Sequence, residues 1–270
     1  MVERNYDDTI AEHYRKVADS EGLSAASTML DEVIRARETA AVETFVTWVA
    51  GELGRDVGFV DVGCGNGFTL EVLAAGFPLH TFTGFELTPE LLALARERLT
   101  KLENAEVHAG DIRDPEFTRG RRFDVLLSQR VLINLLDPDD QRAALDHLVS
   151  CVHPGGFLLF IEAFSSPMVH LNAAREELDL EPITPAHHNL YLGDDFFEHP
   201  GIAGVPGELW GVPENDISTH YYVSRVLAPW SRQGKPFKRN SEFQRFFSAA
   251  LPPAIGDYSP LRIVAFRREA

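Results

Sequence analysis

Apolar positions in the middle of the chain follow two alternating spacings. Five short runs rich in β-forming residues occur in order, namely GFVDVG, HTFTGFE, AEVHAGD, FDVLLSQ and GGFLLFIEAF. Segments with helical spacing, such as TPELLALARERLTKL and PDDQRAALDHLVSCV, lie between them. Strands that alternate with helices predict a parallel sheet joined by crossover helices.

The flanking regions follow other patterns. Residues 28–53 carry apolar side chains at helical spacing, which predicts a long amphipathic helix. Residues 165–215 contain six prolines and are predicted to form an insertion, a lid after strand five. Two further strands, ISTHYYVSRVL and LRIVAFRR, are predicted on either side of a helix, SEFQRFFSAAL. At the start of another helix, we expect the Thr88 hydroxyl to cap free amides ahead of Pro89.

Composition narrows the class of protein. With 41 acidic and 25 basic residues among 270, the formal charge of −16 disfavours a nucleic acid partner. The two cysteines, Cys64 and Cys151, are too few for a disulfide framework, so a reducing cytoplasm is expected. No apolar run approaches the ~18 residues that a membrane span needs, so no membrane association is expected.

The glycine cluster in FVDVGCGNGF is the first candidate site. Gly63, Gly65 and Gly67 follow a strand that ends in Asp61, and Glu86 ends the next strand. Ligands of parallel sheets collect at the carboxyl ends of strands, where glycines let the backbone approach a cofactor closely. Glu86 is well placed to accept hydrogen bonds from ribose hydroxyls.

Two cofactors fit such a site, a nicotinamide dinucleotide and S-adenosylmethionine. The dinucleotide fingerprint is G-x-G-x-x-G, whereas this loop reads G-x-G-x-G and follows an acid, Asp61. A carboxylate there would repel a pyrophosphate but would suit the ammonium group of a methionine moiety. The spacing therefore favours S-adenosyl-L-methionine.

The ordered motifs VDVGCGNG, GFELTPELLALARERL, AGDIRD, FDVLLSQRVLINL and HPGGFLLFIE resemble those of the class I S-adenosylmethionine-dependent methyltransferases. The resemblance covers roughly residues 57–163, and LRIVAFRR is similar to the final strand of that family. It implies an α/β, Rossmann-like fold with a seven-stranded, mostly parallel sheet whose last strand is antiparallel. We divide the chain into an N-terminal helical cap, 1–56, and a methyltransferase domain, 57–270.

The resemblance also implies roles for individual residues. Asp61 and the glycine loop would lie along the methionine part, Glu86 would bind the ribose, and Asp111 with Ile112 would bind adenine. Gln129 or Arg130 would stand near the reactive sulfur, and Tyr14 and Arg37 are candidates for the carboxylate end of the cofactor, unless both simply line a helix surface. The predicted cofactor set is Tyr14, Arg37, Asp61, Gly63, Cys64, Gly65, Gly67, Glu86, Leu87, Asp111, Ile112 and Gln129, and the product is S-adenosyl-L-homocysteine.

The methyl acceptor is expected to be a small molecule. Five of the ten histidines lie in or just after the insertion, near aromatic residues. An imidazole there could take a hydroxyl proton near neutral pH, although such residues could equally form a second small core. His187 or His188 is the first choice of base and His220 the next, with Arg130 as a further catalytic candidate.

Other polar residues could serve two further purposes. The run HHNLYLGDDFFEH offers histidines and acids, but its spacing fits no ligand pattern, so no essential metal is expected. Arg130 and Arg175 could neutralise a carboxylate or phosphate of the substrate, or could form ordinary ion pairs.

These observations predict a cytoplasmic methyltransferase that methylates a hydroxyl of a secondary metabolite or sugar. The alternatives are N-methylation of a small amine or amino sugar, an NAD(P)-dependent oxidoreductase, and a non-catalytic cofactor-binding protein. A homodimer is left open.

Overall fold

The computed structural model describes residues 6–24, 27, 29–232, 235–236 and 238–270. Its centre is a seven-stranded sheet in the order β3-β2-β1-β4-β5-β7-β6. The strands are β1 (Gly58–Val62), β2 (Thr81–Glu86), β3 (Ala105–Ala109), β4 (Phe123–Gln129), β5 (Val152–Ala163), β6 (Ile202–Val205) and β7 (Leu261–Arg268). The five predicted central strands are therefore confirmed.

The pairing of the strands also confirms the predicted fold class. Strands β1 to β5 pair in parallel, whereas β7 runs antiparallel to both β5 and β6. Parallel neighbours require crossover connections, and the helical segments predicted between the strands supply them. All carboxyl ends of β1 to β5 consequently meet at one edge of the sheet.

The helices of the described residues are α1 (Asp7–Glu21), α2 (Glu32–Leu53), α3 (Phe68–Gly76), α4 (Pro89–Leu99), α5 (Pro138–Ser150), α6 (Ser165–Glu176), α7 (Gly207–Trp210), α8 (Ser218–Tyr222), α9 (Ala228–Ser231) and α10 (Glu242–Ala250). The predicted long helix is α2, which begins at Glu32 after the N-cap Asp31, while Thr28 lies outside the described residues.

The core lies between the sheet and the helices that cover it. Residues 157–163 of β5 are all buried, as expected of a central strand covered on both faces. Helix α2 buries Phe45, and the Trp48 ring meets that of Phe157 edge-on at 5.1 Å. This packing fixes α2 against β5.

One predicted strand is wrong. The run ISTHYYVSRVL forms α8 and a π-helical turn, Val223–Leu227, and the sixth strand is instead β6, within the predicted insertion. Hydroxyl groups on α8 explain the difference, because Ser218 and Thr219 donate to the carbonyls of Ile255 and Pro252 ahead of β7. Tertiary contacts thus outweigh the β propensity of this run.

The predicted cap at Thr88 is also wrong. Its hydroxyl makes no capping hydrogen bond, and its backbone N–H donates instead to Glu86 Oε1 at 2.7 Å. Pro89 does occupy the first turn of α4, as predicted.

Candidate active site

A cavity of about 470 Å³ lies at the carboxyl ends of the parallel strands, and we call it the glycine-loop cavity. Most of the predicted cofactor residues line it, in spite of their distance along the chain. Those residues are Tyr14, Asp61, Gly63, Cys64, Gly65, Glu86, Leu87, Asp111, Ile112 and Gln129, together with Arg130. The structure thus brings the end of each strand from β1 to β4 to one site.

The glycines of the loop have different roles. Gly63 has a φ of +63°, and a Cβ there would lie 2.5 Å from Cγ2 of Val131. Gly65 donates its backbone N–H to Glu86 Oε2 at 2.9 Å, which ties the loop to the end of β2. Gly67 does not line the cavity, contrary to prediction. A Cβ at Gly67 would lie 3.1 Å from Cβ of Ala95, so this glycine lets α3 pack closely on α4.

Two buried carboxyl groups dominate the electrostatics of the glycine-loop cavity. Burial and the nearby Glu86 raise the pKa of Asp61 to about 8, against the attraction of Arg35 and Arg130. Burial also raises the pKa of Glu86. Asp61 Oδ2 is enclosed and has no hydrogen-bond partner among the described residues. A buried acceptor without a partner is costly, so this cavity fits a ligand that brings a cationic donor.

The end of the cavity at β3 is organised by an arginine. Arg113 Nη2 lies 2.7 Å from Asp111 Oδ2, and its Nη1 lies 2.6 Å from Asp7 Oδ1 on α1. This bridge connects the sheet edge to the N-terminal helix. Asp111 therefore lines the cavity with both oxygens already accepting hydrogen bonds from Arg113.

A second cavity of about 310 Å³ adjoins the first, and we call it the aromatic cavity. Its lining includes rings from α1, from the predicted insertion and from α8, namely His13, Tyr14, His188, Tyr191 and Tyr221. The two cavities have three lining residues in common, Tyr14, Arg130 and Asn134, which we call the shared wall.

Hydrogen bonds fix the shared wall. The side-chain amide of Asn134 donates to the hydroxyl of Tyr14 at 2.7 Å and to the carbonyl of Arg130 at 2.8 Å. Because a carbonyl can only accept, this second bond sets the orientation of the amide group. Asn134 Oδ1 is then enclosed without a hydrogen-bond partner among the described residues. Burial raises the pKa of Tyr14 to about 12, so its hydroxyl stays protonated near neutral pH.

A short 3₁₀ turn, Leu132–Asn134, follows β4 and carries Asn134, and a buried acid on β5 holds it. Glu162 accepts hydrogen bonds from the backbone N–H groups of Val131 at 2.8 Å and Leu132 at 3.2 Å. Burial raises the pKa of Glu162 to about 7 in spite of these bonds. Glu162 therefore supports the shared wall by holding the backbone of this turn in place.

Arg130 stands where β4 ends and the turn begins. It has a left-handed φ of +58°, and its guanidinium pairs with Glu38, which is completely buried on α2. Strained backbone of this kind persists only where the surroundings hold it. Arg130 is therefore a fixed cation in the wall rather than a mobile side chain.

The three predicted catalytic histidines lie in different surroundings. His188 lines the aromatic cavity, stacks on His13 at 3.7 Å, and has an enclosed Nδ1 without a hydrogen-bond partner among the described residues. Burial, with His13 and His187 nearby, lowers the pKa of His188 to about 4. His187 is exposed, meets His188 edge-on at 5.1 Å and lines neither cavity.

His220 is placed as a structural residue, contrary to prediction. It is buried and lines neither cavity, and its Nε2 lies 2.9 Å from Asp31 Oδ1. Its Nδ1 lies 2.7 Å from the Ser248 hydroxyl of α10. Asp31 caps α2, so His220 joins α8 and α10 to the start of that helix.

Arg37 also lies away from the site that was predicted for it. Its guanidinium lies 3.1 Å from Asp216, away from both cavities, whereas Arg35 lines the glycine-loop cavity. Sequence reasoning missed Arg35 and its neighbour Glu38. The sequence did contain a signal for Glu38. It lies four residues after Ile34 and four before Val42, so it places a charge within the apolar stripe of α2. A charge within such a stripe indicates a buried partner.

Asn134 and Arg225 were also missed, because nothing in their local sequence marks them. Arg175 was predicted either to bind an anionic group of the substrate or to form an ion pair. It lines neither cavity, and its side chain donates to the carbonyls of Glu181 and Arg225.

Across the described residues, no three or more His, Cys, Asp or Glu side chains lie close enough together to hold a metal ion. No helix in the same part of the chain is long and apolar enough to cross a membrane.

Comparison with known proteins finds sequence similarity over part of the chain. Residues 59–156 match the family model described as a methyltransferase domain. A carboxy-S-adenosyl-L-methionine synthase of Chromohalobacter salexigens is 30% identical over 118 residues, which are 42% of this chain and 42% of that enzyme. The chain thus matches less than half the length of that relative.

Solved structures share the architecture of nearly the whole chain. The N-methyltransferase NodS of Bradyrhizobium japonicum WM9 aligns with a TM-score of 0.57 and 16% identity, over 97% of this chain and 100% of that one. The magnesium protoporphyrin IX methyltransferase of Synechocystis PCC 6803 aligns with a TM-score of 0.58 and 12% identity, over 100% of both chains. Residues 59–156 thus match a methyltransferase domain, and the chain shares its overall fold with these two methyltransferases.

Proposed function

We propose that this protein transfers a methyl group from S-adenosyl-L-methionine to a small molecule and releases S-adenosyl-L-homocysteine. The observation that carries this proposal is the contact between the two cavities. The glycine-loop cavity and the aromatic cavity meet at Tyr14, Arg130 and Asn134, so ligands in the two cavities would face each other there.

The residues of the glycine-loop cavity fit the methyl donor. Asp61 Oδ2, enclosed without a partner, would accept hydrogen bonds from the ammonium group of the methionine moiety. Glu86, held by the backbone N–H groups of Gly65 and Thr88, would bind the ribose hydroxyls. Gly63 lets the loop pack directly against Val131 at the edge of the cavity, where a side chain would not fit.

The chain's own contribution to such a reaction is mainly geometric. Bound S-adenosylmethionine supplies a methyl group on a positively charged sulfur, which is already a good leaving group. The protein has to align the acceptor atom with that methyl group and to exclude water. The Tyr14 and Asn134 side chains, joined by their hydrogen bond, form a rigid part of the wall where this alignment would occur.

We propose further that the acceptor atom is a hydroxyl oxygen and that His188 takes its proton. In this step the oxygen forms a bond to the methyl carbon, the bond from carbon to sulfur breaks, and sulfur keeps the electron pair. The hydroxyl proton passes to the unpartnered Nδ1 of His188. The lowered pKa of His188 keeps its imidazole neutral at pH 7, ready to accept. A weak base suffices, because an oxygen becomes strongly acidic as it is alkylated.

Two measurements test these proposals separately. Calorimetry with S-adenosylhomocysteine and with NAD(P) tests the donor site, and we expect binding of the first and not of the second. Mass spectrometry of a small-molecule library incubated with S-adenosylmethionine tests methyl transfer. Tight binding of S-adenosylhomocysteine without any methylated product would support a non-catalytic binding protein instead.

The role of His188 is tested by a pair of neighbouring variants. We expect His188→Ala to lower kcat by at least about tenfold, and we expect the matched variant His187→Ala, which removes an exposed ring, to leave kcat unchanged. An acceptor amine needs only to arrive neutral and requires no base. Unchanged kcat in His188→Ala would therefore contradict the hydroxyl proposal and favour N-methylation.

We also propose that the protein acts in the cytoplasm. Both cysteines, Cys64 and Cys151, are buried and free, which suits a reducing compartment.

A further inference from the structure

The lining of the aromatic cavity carries an excess of positive charge. Three arginines line it, Arg130, Arg225 and Arg239, with Asp31 as the one carboxylate among the described lining residues. The whole chain has a formal charge of −16, so this local excess runs against the composition of the protein. Such an excess favours a ligand of negative charge.

The three arginines differ in how fully they are neutralised. Arg130 is paired with the buried Glu38, as described above. Arg239 is exposed, and no acidic partner is found for it among the described residues. Arg225 is only partly neutralised, because it shares its acidic partner, Asp31, with His220.

Arg225 is held by one nitrogen only. Its Nη1 donates to Asp31 Oδ2 at 2.9 Å and to the hydroxyl of Ser224 at 2.6 Å. Its guanidinium carbon lies 4.9 Å from the centre of the Tyr221 ring. The opposite edge of the guanidinium, Nε and Nη2, has no hydrogen-bond partner among the described residues. A fixed arginine therefore keeps a free pair of donors in the aromatic cavity.

Asp31 does not neutralise Arg225 completely. Its other oxygen, Oδ1, lies 2.9 Å from Nε2 of His220 and 3.4 Å from the backbone nitrogen of Ile34. Burial would raise the pKa of Asp31, but hydrogen bonds from His220 and the charge of Arg225 outweigh it and hold the pKa well below its usual range. Asp31 thus acts as an anchor that orients Arg225 and is shared with α2 and α8.

We propose that the methyl acceptor is a small organic anion whose carboxylate or phosphate group binds the free edge of Arg225. This inference rests on the proposed function, because it takes the aromatic cavity as the acceptor site. Two parallel N–H donors of a guanidinium match the two oxygens of such a group. Tyr191 and Tyr221 would enclose the organic part of the acceptor, and Arg239 would attract its charge at the exposed side of the cavity.

Binding of simple probes tests this inference without turnover. Benzoate and benzamide have nearly the same shape and differ in charge, and phenyl phosphate presents the alternative anion. In calorimetry with the protein saturated by S-adenosylhomocysteine, we expect benzoate or phenyl phosphate to bind about tenfold or more tightly than benzamide. The tighter of the two anions identifies the acidic group of the acceptor.

Two variants test whether Arg225 is responsible for the preference for anionic probes. Arg225→Lys keeps the positive charge and loses the forked donors, so we expect it to lose most of the preference for the anions. The control Arg142→Lys changes an arginine that donates to the carbonyl of Phe196 and lines neither cavity, and it should keep the preference. Unchanged affinity for S-adenosylhomocysteine shows that a variant is folded.

The outcomes separate this inference from the proposed function. Equal affinity of the wild-type protein for benzoate, phenyl phosphate and benzamide would overturn the inference, and this result needs no variant. An undiminished preference in Arg225→Lys would also overturn it. The proposed function would fail on a different result, the absence of binding to S-adenosylhomocysteine.

Discussion

The hydroxyl of Tyr14 accepts a hydrogen bond of 2.7 Å from the side-chain amide of Asn134, and both residues line the glycine-loop cavity and the aromatic cavity. Tyr14 comes from the N-terminal helix and Asn134 from the turn after β4, 120 residues away. The contact therefore connects α1 to the sheet edge at the boundary between the proposed donor and acceptor sites.

Removal of the Tyr14 hydroxyl should affect catalysis more than donor binding. We expect Tyr14→Phe to lower kcat about tenfold, because the Asn134 amide loses one of its two fixed acceptors and the wall loses rigidity. The affinity for S-adenosylhomocysteine should change by less than about threefold. Steady-state kinetics and calorimetry measure the two effects. The control is Tyr222→Phe, whose ring contacts Tyr258 and lines neither cavity. Equal loss of kcat in both variants would contradict a role for the wall.

Donor binding should depend on pH through Asp61. Burial, with Glu86 nearby, raises the pKa of Asp61 to about 8, so the free protein carries a protonated carboxyl at neutral pH. An ammonium group prefers the ionised carboxylate, so the affinity for S-adenosylhomocysteine should increase as the pH rises from about 6 to about 8. Calorimetry in buffers of different ionisation enthalpy should also detect protons released on binding. In Asp61→Asn the affinity should be weaker and this pH dependence should be lost; a retained dependence would assign it to another group.

His220 should matter for stability and not for the chemical step. We expect His220→Asn to reduce the free energy of unfolding by about 2–4 kcal/mol, because Asp31 loses a buried partner. Denaturant unfolding measures this change, with His187→Ala as an exposed control that should leave stability within about 0.5 kcal/mol. A stable variant with a greatly reduced kcat would restore His220 as a catalytic candidate.

Two glycine substitutions should have opposite effects. Gly63→Ala places a Cβ at positive φ and against Val131, so we expect a loss of about 1–3 kcal/mol in the free energy of unfolding, with weaker donor binding. Gly51 lies within α2, where an added Cβ would meet no atom within 4 Å, so Gly51→Ala should stabilise the protein by about 0.5–1 kcal/mol. Thermal unfolding and calorimetry measure both effects. Similar changes for the two variants would contradict the assignment of Gly63 to close packing at the site.

The accuracy of the sequence predictions depended on the kind of signal that each one used. The glycine loop, Glu86 and Asp111 could be placed because each follows a strand, and parallel strands bring their carboxyl ends to one edge. Arg37 could not be told from Arg35, because two positions on a helix point in different directions and only packing decides which one faces the cavity. Both His188 and His220 lie near aromatic residues in the sequence, yet His220 is buried against Asp31 whereas His188 lies in a cavity wall.

The first five strands, the helices between them, the parallel sheet and the edge that carries the glycine-loop cavity were determined by the sequence alone, because local periodicity and crossover geometry suffice to specify them. The shared wall, the second cavity and the free edge of Arg225 were decided only by the tertiary structure. They join α1, the turn after β4, the segment around His188 and the π-helical turn, which lie far apart along the chain. No local pattern encodes such contacts, because each depends on how several elements pack against one another.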